Sequence, residues 1–194
     1  MSVIRRYLLC LIAMLLVSLP GGAHALEFRQ VLTDKSTLSF AYKQMGVSME
    51  GRFRKFVARI VFDPAKLSAA QAQFEVDLAS IDTGVTEADE EVLGKQWFST
   101  KAFPTARFVS TKVQTLGDNR FEVHGKLTIK GQTRDVSAPF TFKPEGASGV
   151  FDGAFTLKRL DYAIGVGPWA DLDTVANNIQ IRFHIVASPA PAKK

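Results

Sequence analysis

Apolar and polar residues alternate along most of the chain, and a period of two means strands with one buried face. The cleanest run sets Phe121, Val123, Gly125, Leu127 and Ile129 against Glu122, His124, Lys126, Thr128 and Lys130. After a hairpin-like break at Gly131-Gln132, Val136, Ala138, Phe140 and Phe142 alternate with Ser137, Pro139 and Thr141, which predicts a second, adjacent strand. The same period recurs at Leu38, Phe40 and Tyr42; at Phe56, Ala58, Ile60 and Phe62; at Phe74, Val76 and Leu78; at Gly153, Phe155 and Leu157; and at Ile179, Ile181, Phe183 and Ile185. With a shorter strand around Phe108, the count is about eight. Asp63-Pro64, Gly117-Asp118-Asn119 and Pro144-Glu145-Gly146 read as turns between these runs. Many short strands with few helices mean an all-β barrel or sandwich.

One segment departs from this period. Thr86 is placed to cap a helix whose first turn carries Glu87, Asp89 and Glu90, carboxylates that suit the positive end of a helix dipole. The pattern predicts a short helix over residues 87–96.

The ends follow other rules. A start with Arg5 and Arg6, an apolar stretch from Tyr7 to Leu19 and a small-residue ending at Ala23-His24-Ala25 are the three parts of a secretory signal peptide. Cleavage is expected after Ala25. The apolar stretch is short for a bilayer span, and no later window reaches the roughly 20 apolar residues that a transmembrane helix needs, so no stable membrane insertion is expected. Residues 26–187 read as one domain with no internal repeat. Residues 188–194, with two prolines and no apolar period, read as a disordered tail.

Removing the first 25 of 194 residues leaves 169, ample for one well-packed core. It also leaves 22 basic against 19 acidic side chains, too mild and dispersed a balance to suggest nucleic acid. The single cysteine, Cys10, lies in the leader, so no thiol chemistry, disulfide or thiolate metal site is expected in the mature chain.

Candidate chemistry is sparse. Gly146-Ala147-Ser148-Gly149 is not the five-residue elbow that presents an activated serine. His124 and His184 occupy the polar phase of their strands and should face outward, where two isolated imidazoles make no metal site. The spacing of Glu87, Asp89, Glu90 and Glu91 matches no calcium loop, and the helix start explains most of them. Neither an enzyme nor a cofactor is indicated; an enzyme acting on lipids or quinones would need a polar, pKa-perturbed cluster inside the barrel.

Aromatic residues say more. Fifteen phenylalanines, most on the inward phase, are a large allotment for one small barrel. Small barrels of this strand number are either packed solid or hold one ligand. Ala58, Gly125, Ala138 and Gly153 also fall on the inward phase and would leave room beside the rings. Composition leaves both readings open.

An ordered series of motifs then resembles one family over nearly the whole mature chain. Ser36-Thr37-Leu38-Ser39-Phe40, Gly51-Arg52-Phe53 and Ile60-Val61-Phe62-Asp63-Pro64 look like its first hairpin. Ser80-Ile81-Asp82-Thr83-Gly84, Trp97-Phe98 and Phe103-Pro104-Thr105-Ala106-Arg107-Phe108 follow, and Gly125-Lys126-Leu127-Thr128-Ile129-Lys130-Gly131 resembles its central hairpin. These are the YceI-like, polyisoprenoid-binding proteins of the bacterial periplasm. The chain departs from them at Tyr42-Lys43-Gln44-Met45, where members often carry a histidine. Ile164 to Asp171 is similar to a branch with a Trp-Ala-Asp insertion.

The resemblance implies an extended eight-stranded antiparallel lipocalin-like β-barrel whose hydrophobic tunnel holds an isoprenoid lipid or the tail of an isoprenoid quinone in the periplasm. The ligand would meet Phe40 and Tyr42, Phe56 and Ile60, then Phe74, Val76 and Leu78. On later strands it would meet Phe108, Leu127, Ile129, Phe140, Phe142, Phe155, Ile181 and Phe183, with Trp169 closing one mouth. Lys43, Gln44 and Arg159 stand where a head group would lie, although long polar side chains are more often solvated surface. A homodimer is left open. The competing reading is a solid-cored secreted β-domain that docks to a membrane electron-transfer or stress-response partner.

Overall fold

The computed structural model describes residues 27–189. The eight strands predicted from the alternation are present: β2 (Thr37–Gln44), β4 (Phe56–Val61), β5 (Gln71–Asp77), β7 (Thr105–Gly117), β8 (Arg120–Ile129), β9 (Gln132–Glu145), β10 (Ser148–Lys158) and β11 (Asn178–Pro189). Three more were not foreseen. β1 (Phe28–Val31) and β6 (Ile81–Asp82) are too short to show a period, and β3 (Val47–Phe53) carries Gly51 where an apolar residue would mark the inward phase. β11 also runs through Ser188 and Pro189, which pair with β1; the strand therefore takes the first two residues assigned above to a tail. The expected leader and the rest of the tail lie outside the described residues.

Every strand pairing is antiparallel, in the order β4-β5-β7-β8-β9-β10-β11-β2-β3-β6. β1 closes the sheet upon itself, because it pairs with β11 and exchanges two backbone hydrogen bonds between Phe28 and Phe62 at the end of β4, at 2.9 and 3.1 Å. The result is a curled, lipocalin-like antiparallel barrel with one helix.

Register brings the inward phases into one continuous face. Phe40 lies opposite Ile181, Leu38 opposite Phe183, Phe74 opposite Phe108, and Phe108 opposite Leu127. Tight turns hold this register. Asp118-Asn119 and Lys130-Gly131 both have positive φ at the two central positions of two-residue loops, the primed turns whose twist matches that of the strands they join.

β7 is longer than the alternation suggests, for a physical reason. Phe108 and Val113 are five residues apart and would point to opposite faces of a regular strand. A β-bulge between Ser110 and Lys112 resets the phase, and both side chains face in. The same bulge hid the second half of the strand from a period-two reading.

The inward glycines also behave differently from expectation. Gly153 is paired with Phe183 and Gly51 with Phe40, and in each case the ring lies against the glycine backbone. The Phe108 ring likewise covers Gly125. These glycines do not leave gaps beside the rings; they let the rings lie along the wall, the cross-strand arrangement known as aromatic rescue.

The helix, α1 (Thr86–Val92), is shorter than predicted. Thr86 starts the helix without capping it. Asp89 reaches back to accept hydrogen bonds from the Thr83 backbone N–H and hydroxyl, both at 2.7 Å. Beyond Val92 the chain tightens into turns around Gly94 and Ser99, the latter at φ 51°.

A Gly153→Ala substitution would drive its Cβ into the Phe183 ring and the Pro139 carbonyl oxygen. The expected loss is about 1–3 kcal/mol, read as a lower urea midpoint at unchanged m-value.

Candidate functional site

A cavity of about 600 Å³ runs along the barrel axis, within the usual range for small-molecule sites. On β11 its lining extends from Ile179 to Ile185, about 20 Å at the rise of an extended strand. One end is stopped by a cluster of phenylalanines. Phe62 packs against Phe121, Phe140, Phe142 and Phe151 with ring centroids 5.0–6.0 Å apart, and Phe28 adds edge contacts to Phe142 and Phe151. The other end opens beside α1, where Thr83, Val85, Glu87 and Glu91 meet Gln44 and Trp169.

Most of the sequence-predicted ligand positions line this cavity. On β2, β4 and β5 they are Phe40, Tyr42, Ile60, Phe74 and Val76, with Leu78 just beyond β5. Across the barrel they are Phe108, Leu127, Ile129 and Phe140, then Phe155, Ile181, Phe183 and, at the mouth, Trp169. Two positions stand elsewhere. Phe142 is 3 % exposed inside the aromatic stopper, because the barrel narrows to solid packing at its closed end. Phe56 keeps the inward phase, opposite Val76, and packs into the apolar interior, but it borders a second groove between β3 and β4 instead of the tunnel.

Arg159 departs furthest from the surface role weighed for it. It is 1 % exposed and, among the described residues, has no carboxylate partner. Its Nε donates to the carbonyl of Ala176, one terminal nitrogen to those of Ile164 and Gly165, and the other to those of Trp169 and Val175, at 2.6–3.2 Å. Its guanidinium also lies over the Trp97 ring, 5.8 Å from the centroid. Burial pushes its pKa down. A single cation thereby ties together the loop that carries Trp169 and the entry into β11. Gly165, at φ 69°, is required there because a Cβ would collide with the guanidinium.

Around the mouth, Trp169 Nε1 donates to Glu91 Oε1 at 3.0 Å, which links the loop to α1. The Trp97 ring lies 5.4 Å from that of Trp169 at a tilt of 55°, and its own indole N–H is buried without a partner among the described residues. Burial, followed by the nearby Asp89 carboxylate, raises the Tyr42 pKa, so the field of α1 reaches a side chain on the tunnel wall. Trp97, Phe98, Glu87 and Glu91 were missed as site residues. The signal available was an aromatic pair directly after the one segment that breaks the strand period.

Lys43 is exposed on the outer phase of β2, whereas Gln44 lines the mouth. His124 and His184 sit on the outside of the barrel, paired across strands or along one: His184 Nδ1 with Asp152 Oδ1 at 2.6 Å, and His124 Nε2 with Glu122 Oε2 at 2.9 Å. Among the described residues no helix is long and apolar enough to cross a membrane.

Residues 30–187 match the YceI-like domain. A UPF0312 protein of Vibrio cholerae is 28 % identical over 177 residues, covering 84 % of this chain and 93 % of the relative. One from Pseudomonas syringae pv. tomato is 31 % identical over 154 residues, covering 74 % and 80 %. Among solved structures, Burkholderia cenocepacia BcnA superposes with a TM-score of 0.80 at 43 % identity, over 82 % of this chain and all of that one. A polyisoprenoid binding domain from Saccharophagus degradans implicated in plant cell wall breakdown gives 0.65 at 14 % identity, over 85 % and 99 %.

Two predictions concern the turn Arg159–Tyr162, both ends of which are buried. Arg159→Met would leave five carbonyls without their donor, at a cost of about 3–5 kcal/mol, and Arg159→Lys would recover part of it; thermal unfolding measures both. Tyr162 is 2 % exposed, and burial, reinforced by Asp161 and opposed by Arg134, pushes its phenol up to about 12. The fold therefore prefers the neutral phenol over the unfolded value of 10.0, so this contribution is complete below pH 10 and is lost between pH 10 and 12. Tyr162→Phe should flatten the fall in denaturation midpoint over that window.

Proposed function

The chain belongs to the YceI-like family, and from that membership and the tunnel's geometry we propose that it is a periplasmic binding protein for an isoprenoid lipid or an isoprenoid quinone, held by the tail. The carrying observation is an apolar tunnel stopped at one end and open at the other. An isoprenoid tail in water costs roughly 25 cal/mol per Å² of apolar surface. Threading it into a preformed apolar channel removes that cost with no directional chemistry. The stopper limits how far the tail enters and keeps the head at the mouth.

Further support comes from the fold shared with the Saccharophagus polyisoprenoid binding domain. The periplasmic assignment rests on the leader-like first 25 residues. The docking alternative asks for a filled interior, and the cavity of about 600 Å³ speaks against it.

Native mass spectrometry of protein purified from the periplasm, with organic extraction, should give a discrete added mass that extracts as an isoprenoid. Leu127→Arg and Phe155→Arg, each placing a guanidinium in the lumen, should lower affinity for a prenyl ligand at least about tenfold, the desolvation of a charge being far more costly than that. Unchanged binding by folded variants of both would sink the tunnel reading.

A further inference from the structure

Seven large apolar side chains are exposed among the described residues, and five of them belong to the open end of the barrel. Met45, 78 % exposed, is at the turn between β2 and β3, and Val47 stands opposite Gln44 on the phase that lines the tunnel. Val85 lines the opening itself. Leu172 lies in the turn after Trp169, which is tied to the hairpin where the Met45 N–H donates to the Thr174 carbonyl at 3.0 Å. Phe103 lies beside Gly131 in the turn between β8 and β9, whose Lys130 Nζ donates to the Ala163 carbonyl at 2.7 Å. The other two are Val57, on the outer phase of β4, and Leu116, next to the β7–β8 turn at the stopped end.

Single exposed apolar residues are ordinary on a protein surface. Five gathered at one end, continuous with an apolar tunnel, mark a surface that meets a partner. Their placement and charge say which kind. The β2–β3 and β8–β9 turns stand on opposite sides of the curled sheet, separated by β10 and β11 one way and by β5 and β7 the other, so the rim brackets the opening and suits a planar partner. The same segments expose Glu87, Glu90 and Glu91 on α1 and Asp171 and Asp173 beside Leu172, against Lys43, Lys95 and Lys101. A face with that balance is not drawn to anionic surfaces, and its attraction is apolar. A tail that leaves the tunnel through water exposes its apolar surface to solvent. A bilayer against the mouth removes that exposure without the alignment that a second protein tunnel would need.

We propose that Met45, Val47, Val85, Phe103 and Leu172 dock the open mouth on a lipid bilayer, so that an isoprenoid tail passes directly between membrane and tunnel. The proposal rests on the tail-binding reading above and adds to it the surface with which the tail is exchanged. Docking of this kind is transient, since a few side chains in the interface hold a protein far less firmly than a spanning helix does.

The test loads the purified protein with dansyl-labelled geranylgeraniol and mixes it with phosphatidylcholine vesicles that hold a non-exchanging quencher lipid. Loss of fluorescence then reports transfer. With docking, the rate should rise about eightfold over a roughly tenfold rise in vesicle concentration, because encounter with the bilayer limits it. Escape through water gives one rate at every concentration. Met45→Asn/Leu172→Asn removes two rim side chains that do not line the tunnel, and Asn tolerates the φ of 48° at position 45. This variant should bind the free probe as the wild-type chain does and deliver it to vesicles at least about fivefold more slowly. A rate indifferent to vesicle concentration overturns the docking, leaves the tunnel standing and points to a protein acceptor. Normal transfer by the variant, or transfer only to vesicles that contain phosphatidylglycerol, overturns the docking as well. A folded protein that takes up no probe removes the tail-binding reading and the docking with it.

Discussion

An apolar lumen stays open only if its walls are held apart, because interior side chains otherwise pack to near-crystalline density. In this chain the walls are held by barrel closure. β1 bridges β11 to the end of β4 through the Phe28–Phe62 hydrogen bonds, and strand number then sets the radius. The same two residues belong to the aromatic stopper, so the closing of the sheet and the closing of the tunnel are one event. At the stopper, edge-to-face and tilted ring contacts fill the space. Farther along, Phe40, Phe108 and Phe183 lie against glycines and keep their volume in the wall.

The open end is organised around a charge. A guanidinium buried without an anion is costly, and the carbonyls gathered around Arg159 offset that cost through charge-assisted hydrogen bonds. Those carbonyls come from a loop with no regular strand pairing of its own, so the loop is shaped by the cation. Trp169 is presented to α1 as a consequence, and Glu91 receives it. The tail-binding wall is thus made by strands, and the chemistry of the mouth by one short helix and one loop.

This division suits a binding protein. Apolar contacts in the tunnel supply affinity with little selectivity among tails, since one methylene changes the free energy by only about 0.8 kcal/mol. Polar groups at the rim are few, and Trp169 and Glu91 hold one another in place there. The groove between β3 and β4 shares Leu38 and Phe53 with the tunnel wall, and Phe56 closes the interior beneath it.

Alternation by itself determined the fold class, the positions of eight strands and, except in the second half of β7, which side of each faces in, because side-chain direction in a strand depends only on local parity. It also placed His124 and His184 on the outside. Parity fails where tertiary structure changes the count. The bulge between Ser110 and Lys112 inverts the phase of β7, β1 and β6 exist only through their partners, and α1 ends at Val92 because the chain turns at Gly94. Whether fifteen phenylalanines fill a core or line a tunnel was beyond composition, since the answer depends on strand number and on which rings find a glycine across the sheet. Arg159 was illegible for the same reason: its six acceptors, counting a long contact to Asp171, are backbone atoms, and a backbone carbonyl leaves no mark in the sequence. Tertiary structure alone decided that Phe142 belongs to the stopper and Trp97 to the mouth, because both depend on where along the barrel the packing closes.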